Sequence, residues 1–220
     1  MPPHERLVFR LPDRSYEPQR VFCIGRNYAE HVKELGNAPS GEPVVFMKPP
    51  SALVPPGEPI VLPRGQGPVH HELELVLLVG REGRDIPAAV ACEYLAGATL
   101  GLDLTLRAVQ EALKRAGHPW ERAKAFDGSA PLGTFRPAGG LEFDALELRC
   151  EVNGELRQHG NTRDMLFPVP TLVAWLSRHW RLLPGDVIYT GTPPGVGPLE
   201  PGDRVRVASP ALGAFEWHCT

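Results

Sequence analysis

The 220 residues suffice for one domain with a substantial core, and 42% hydrophobic with 22% charged residues is the ordinary balance of a soluble globular chain. A formal net charge of −3 lacks the basic surplus of a nucleic-acid binder, and no apolar run approaches the ~18 residues of a membrane span. The N-terminal stretch MPPHERLVFRLP has no signal-peptide core, which predicts a cytoplasmic protein.

In chain order, residues 1–18 read as an extended lead-in and 19–220 as one domain without repeats, low complexity or a linker. RVFCIGRNY, 20–28, starts as a short apolar strand and turns at Gly25. AEHVKELG, 29–36, is helical with Gly36 as its stop. A loop over 37–43 precedes VVFMKPPSALV, 44–54, a strand broken by Pro49 and Pro50. Turn-rich PPGEPIVLPRGQGP leads to a strand from about His71 to Val79, and EYLAGATLGLDL, 93–104, is again strand-like. TLRAVQEALKRAG reads as a helix with Thr105 as N-cap and Gly117 as stop; its Leu106, Val109 and Leu113 recur at helical spacing. LELRCEVNGELRQHG, 146–160, alternates around Asn153-Gly154 and predicts a hairpin. PTLVAWLSRHW, 170–180, is a helix with Pro170 in its first turn. The tail alternates PGD turns with short strands. The fold class is α+β, β-rich, with a few short helices and long loops.

Cys23, Cys92, Cys150 and Cys219 are scattered without a CxxC pair and read as buried free thiols. The chain uses 19 arginines against four lysines, Lys33, Lys48, Lys114 and Lys124. Where arginine is the default cation, a lysine marks a place for a compact ammonium.

HHELELVLLVG, 70–80, is the segment richest in chemistry. Alternation puts Glu72, Glu74 and His70 on one face and Leu73, Leu75, Leu77 and Val79 on the other. Two neighbouring carboxylates repel unless a cation or proton lies between them. On this segment alone, a solvent-facing polar stripe is the commoner arrangement. Asp103, at the end of the second apolar strand, is either a charge on the next helix's N-terminus or a third ligand. Three carboxylates suit Mg²⁺ or Mn²⁺, and no histidine pair has zinc spacing.

Taken together, VFCIGRNYAEHVKELG, FMKP, HHELEL, LDLTLRAVQ, WERAKAFDGSAPLG, VNGELRQHGNTRDMLFPVP and GDVIYTGTPPGVGPLEPGD resemble the fumarylacetoacetate hydrolase superfamily over roughly 20–207. The likeness is to its short branch of acylpyruvase and oxaloacetate decarboxylase type, with the bacterial hydroxymuconate-type isomerase/decarboxylases near. The resemblance implies a β-roll/sandwich, makes 19–220 a catalytic domain, and implies a homodimer with one Mg²⁺ or Mn²⁺ per site held by Glu72, Glu74 and Asp103. It implies a lid carrying the catalytic pair His31 and Glu34, an active-site Lys124, and substrate contacts from Arg107, Gln110 and Thr192. Pro194, in TGTPPGVG, departs from the polar or small residue of many relatives, next to the far end of the substrate.

The implied partner is a small 2-oxo acid, with neither nucleic acid nor membrane. Chelated through its carboxylate and keto oxygens, it would be cleaved at the adjacent C–C bond through an enolate, by acylpyruvate hydrolysis or oxaloacetate decarboxylation. His31, oriented by Glu34, would activate water; an exposed i, i+3 pair is the commoner use of such a spacing. Lys124 read without the motif is a surface lysine in a loop, and Lys48 is structural or sits behind the ligands. One alternative is a 2-hydroxyhepta-2,4-diene-1,7-dioate isomerase or 5-carboxymethyl-2-oxo-hex-3-ene-1,7-dioate decarboxylase. The other is a catalytically silent metal-binding protein. Thr162 and Asp164 read as a cap or turn, Trp175 and Trp180 as core or interface packing, and GTPPGVG lacks the GK[ST] ending of a phosphate loop.

Overall fold

The computed structural model describes residues 7–36 and 40–220; part of the loop expected over 37–43, at 37–39, lies outside them. The chain opens with a hairpin, β1 (Phe9–Arg10) against β2 (Ser15–Tyr16), whose Phe9 and Tyr16 are buried. The lead-in is therefore a packed hairpin over its described part, because two aromatics seven residues apart need cover from water. β3 (Val21–Gly25) runs into α1 (Ala29–Glu34). β4 (Val44–Lys48) stops at the two prolines, a 3-10 turn over Pro50–Ala52 follows, and β5 (Leu53–Val54) resumes the strand.

The strand expected from about His71 to Val79 is two strands, β6 (Val69–His71) and β7 (Leu73–Val79), with Glu72 at the break. A 3-10 segment over Ala88–Tyr94 leads to β8 (Leu95–Leu102). Thr105 is not a helix cap: it lies in β9 (Thr105–Leu106), its hydroxyl donates to the Asp103 carbonyl, and α2 (Arg107–Ala116) starts without a side-chain cap. Lys124 ends a short helix, α3 (Glu121–Lys124), where a loop was expected.

β10 (Ala130–Pro131) and β11 (Arg136–Pro137) precede the expected hairpin of β12 (Glu147–Val152) and β13 (Glu155–Asn161). Asn153 and Gly154 turn it with φ of 54° and 81°, the left-handed pair that matches strand twist. At the 3-10 turn over Thr162–Asp164 the cap is Asn161, whose side chain accepts from Arg163 N; the Thr162 hydroxyl accepts from Leu146 N instead. α4 (Val169–His179) is followed by β14 (Val187–Tyr189), β15 (Gly197–Leu199), β16 (Arg204–Ser209) and β17 (Gly213–His218). Trp175, on α4, and Trp180, at its C-terminal end, are partly buried against the core.

Three main sheets result: a six-stranded one ordered β11-β8-β7-β14-β3-β4, a four-stranded one ordered β13-β12-β16-β17, and a three-stranded one ordered β15-β6-β9. β7 lies in the middle of the first and is buried on both faces. Leu73, Leu75, Leu77 and Val79 face one core, shared with Leu148, Val152, Val205, Val207 and Trp217. Val76 and Leu78 face a second, shared with Phe9, Cys23, Phe135 and Tyr189. Three of the four cysteines are buried and all are free. No helix among the described residues is long and apolar enough to cross a membrane.

The parallel neighbours β3 and β14 are tied together one residue before their first pair, Val21 with Val187. There Arg20 donates through Nε and Nη2 to the two carboxylate oxygens of Asp186, at 3.0 and 2.6 Å, and Asp186 also accepts from Leu183 N. Asp186 is fully buried. Asp186→Ala strands the arginine and the Leu183 N–H, so it is expected to lower unfolding free energy by about 3 kcal/mol, measured by urea denaturation.

Candidate metal centre and active site

The break at Glu72 is where the chain leaves the three-stranded sheet for the six-stranded one. The Glu72 carbonyl accepts from Asp103 N, at 2.8 Å, which fixes the end of β8 beside the bend. Glu72, Glu74 and Asp103 thereby come together: one carboxylate oxygen from each lies within 4.8 Å of the others, and all three residues are buried. The solvent-stripe arrangement is excluded, because the glutamates' face of the sheet is covered.

Electrostatics show how the cluster is held. Burial raises the Glu74 carboxyl well above the usual carboxylate range, and the charges of Asp103 and Glu72 raise it further. Burial would raise Glu72 as well, but Lys124 and Arg107 outweigh it and hold that carboxyl below the usual range. Lys124 Nζ donates to Glu72 Oε2 at 2.8 Å and to Asp103 Oδ2 at 2.6 Å. Burial would lower the Lys124 ammonium; Asp103 and Glu72 reverse that and raise it, so it stays protonated. Arg107 pairs with Glu72 Oε1 and donates to Gln110 Oε1 at 2.7 Å.

Lys48 is buried behind Asp103, 2.9 Å from Oδ1, with its other donors on the carbonyls of Leu104, Lys124 and Ser129. It lies out of line for a hydrogen bond, so Asp103 Oδ1 has a counter-charge and no directed donor. That oxygen, with the Glu74 carboxyl that lacks a cationic partner and the hard carboxylate donor set, fits a divalent oxygen-seeking cation. His70 stands outside this group, half-buried, with its Nδ1 unpartnered. Burial lowers its pKa.

α1 covers the site. His31 and Val32 are its buried residues, and His31 Nδ1 lies 2.9 Å from Glu34 Oε2. Glu34 Oε1 accepts from Gly195 N at 2.9 Å, so the pair is docked on the TGTPPGVG loop. The exposed-pair arrangement fails for His31, which is only 6% exposed. Pro194 lies in this loop between Pro193 and Gly195. It is outside the cavity wall, to which the loop contributes Thr192.

The same loop begins at Gly191, whose N–H donates to Glu74 Oε2 at 2.7 Å. Its φ is 99°, and a Cβ there would lie 2.6 Å from that of Asn27, so only glycine serves. The cavity below α1 has a volume of about 40 Å³. Seven of the nine predicted residues line it; Asp103 lies under Lys124, and Glu34 reaches it through His31.

Two residues were not anticipated. Asn27 is fully buried and ties the root of α1 to the Phe167 and Thr190 carbonyls through Nδ2, and to Phe167 N through Oδ1. Gln158 is the one buried residue of β13 and hydrogen-bonds His71, Leu73 N, Thr192 and the Pro193 carbonyl. A polar side chain at an inward position of an alternating hairpin was the available signal for Gln158.

The profile of the family described as Fumarylacetoacetate (FAA) hydrolase C-terminal matches residues 20–219. Oxaloacetate tautomerase YcgM of Escherichia coli (strain K12) is 46% identical over 195 residues, 88% of this chain and 89% of that protein. The crystal structure of fumarylpyruvate hydrolase from Pseudomonas aeruginosa in complex with Mn²⁺ and pyruvate superposes with a TM-score of 0.93 at 37% identity, covering 100% of this chain and 98% of that one. That of 2-hydroxyhepta-2,4-diene-1,7-dioate isomerase from Mycobacterium marinum gives 0.82 at 36% identity, covering 96% and 82%. With a match over nearly its whole length and relatives this similar, the chain belongs to the fumarylacetoacetate hydrolase family.

Proposed function

We propose that the protein is a divalent-metal-dependent enzyme that forms the enolate of a small 2-oxo acid. The outcome is C–C cleavage for an acylpyruvate, and proton exchange or decarboxylation for oxaloacetate. The observation that carries this reading is the convergence on one cavity of the Glu72–Glu74–Asp103 cluster, the Lys124 ammonium and the buried His31–Glu34 pair. Relatives named for oxaloacetate tautomerase and fumarylpyruvate hydrolase activity support it, since both reactions pass through an enolate next to a carboxylate.

Glu72, Glu74 and Asp103 would hold Mg²⁺ or Mn²⁺, which supplies a Lewis acid for negative charge on the keto oxygen. Lys48, Lys124 and Arg107 already offset Glu72 and Asp103, so a divalent cation leaves the site positive and suited to an anion. Lys124 offers a fixed positive donor to charge developing on the substrate. Arg107, oriented by Glu72 and Gln110, presents its guanidinium to a carboxylate.

His31 engages Glu34 through Nδ1, which leaves Nε2 as the base. In hydrolysis it takes a proton from water as the oxygen bonds to the distal carbonyl carbon. The C–C bond then breaks, its electron pair passes into the pyruvate enolate, and carbon is protonated. In tautomerisation a proton leaves C3 and returns to oxygen or carbon, and no water is consumed. α1 excludes other water by closing on Gly195. A silent metal-binding scaffold needs the carboxylates but not this pair.

Glu74→Gln is expected to weaken Mn²⁺ binding at least ~100-fold and to abolish turnover of both acetylpyruvate and oxaloacetate. Calorimetry and loss of ultraviolet absorbance measure the two effects; full turnover in this variant would sink the assignment. His31→Ala is expected to cut acetylpyruvate hydrolysis by ~100-fold or more while oxaloacetate tautomerisation falls less. Parallel assays on one preparation give that ratio, and equal losses would place His31 in both proton transfers.

A further inference from the structure

Gln158 is fully buried, and each of its amide atoms meets a group of fixed polarity. Leu73 N–H can only donate, and it lies 2.9 Å from Oε1. The Pro193 carbonyl can only accept, and it lies 2.8 Å from Nε2. The amide therefore has one orientation. Its oxygen takes the Leu73 N–H at the bend between Glu72 and Glu74, where a ladder partner would otherwise be needed. It also takes His71 Nδ1 at 3.0 Å, which makes Nδ1 the protonated ring nitrogen.

At the other end, Nε2 donates to Thr192 Oγ1 at 2.8 Å. The Thr192 hydroxyl is thus an acceptor from Gln158, and its own proton must go elsewhere. Among the described residues the acceptor within reach is the Pro193 carbonyl, at 3.4 Å, long for an O–H bond. Thr192 lines the cavity.

We propose that Gln158 is a positioning residue that sets the polarity of the Thr192 hydroxyl and so directs its proton to a carboxylate oxygen of the bound 2-oxo acid. The proposal rests on the substrate class inferred above. One amide then serves two distant requirements: its oxygen holds the bend that carries two of the acidic residues, and its nitrogen orients a donor for the ligand. A glutamine is needed, because leucine would satisfy neither backbone group and glutamate could not donate to Thr192.

The test is Gln158→Glu, alone and combined with Thr192→Val, with pyruvate binding measured by calorimetry at saturating Mn²⁺ and pH 8. The new carboxylate still accepts from Leu73 N–H and His71, so Mn²⁺ affinity is expected not to weaken. Its other oxygen loses the bond to the Pro193 carbonyl and accepts from Thr192, which turns the proton away from the cavity, and pyruvate affinity is expected to fall at least about tenfold, the worth of one hydrogen bond. In the Thr192→Val background the same change is expected to cost less, because only the bond to the Pro193 carbonyl is then lost. Wild-type pyruvate affinity in Gln158→Glu, or an undiminished loss beside Thr192→Val, overturns the proposal. Should Gln158→Glu not fold, Thr192→Val alone decides: a tenfold loss supports a donating hydroxyl, and unchanged affinity overturns it. A wild-type protein that binds Mn²⁺ but no pyruvate removes the substrate class itself, a result distinct from any of these.

Discussion

Three carboxylates buried within 4.8 Å of one another are the constraint around which the site is built. In a low-dielectric interior their repulsion and lost hydration must be offset locally. The chain does so with three cations in different positions. Lys124 bridges Glu72 and Asp103 from above, Arg107 grips the outer oxygen of Glu72, and Lys48 stands behind Asp103. A guanidinium could not replace Lys48: its donors are spread in a planar fork, whereas the carbonyls of Leu104, Lys124 and Ser129 converge on a single nitrogen. The scarcity of lysine in an arginine-rich chain has its physical reason here. Two of the four lysines lie in this cluster, and both are almost completely buried.

The cluster could not exist on an ordinary amphipathic strand. Glu72 and Glu74 share a parity with Val76 and Leu78, and those two fill the second core. A sheet with water on one face would have left them exposed, so the run LELVLLV already carried the mark of a strand covered on both sides. Reading only HHELE, 70–74, suggests a polar stripe; reading on through Val79 does not. Both faces are covered because the lead-in hairpin, through Phe9 and Tyr16, closes the side opposite the four-stranded sheet.

Local patterns were legible wherever the determinant is local. The hairpin at Asn153-Gly154, the helix ending before Gly117, the proline break after Lys48 and the alternating tail strands are each set by a few adjacent residues. The acidic cluster was legible through motif order, although the residues that complete it come from separate elements. What sequence did not disclose depends on contacts between distant segments. Thr105 is a good cap by type, yet β9 claims it by pairing with β6. Lys124 has no local reason to be buried; Glu72 and Asp103 draw it in. Gln158 and Asn27 look like surface amides until the loop over 190–193 is folded against them.

That loop is where the separate elements are joined. Gly191 N holds Glu74, the Pro193 carbonyl holds Gln158, and Gly195 N holds Glu34. Five consecutive residues thus contact the acidic cluster, the hairpin sheet and the covering helix, whose own root is pinned to Thr190 by Asn27. Backbone groups make all three contacts, so they depend on loop conformation more than on side-chain identity. Pro194, with its fixed φ and missing N–H, stiffens the loop between the second and third contact without entering the cavity. The Glu34–Gly195 bond joins the covering helix to the loop. The Gly191–Glu74 bond lies beneath it, where a Cβ would meet Asn27. The site therefore has a floor of acids and lysines beneath Gly191 and a cover, α1, that carries the buried His31 and is tied to the loop through Glu34.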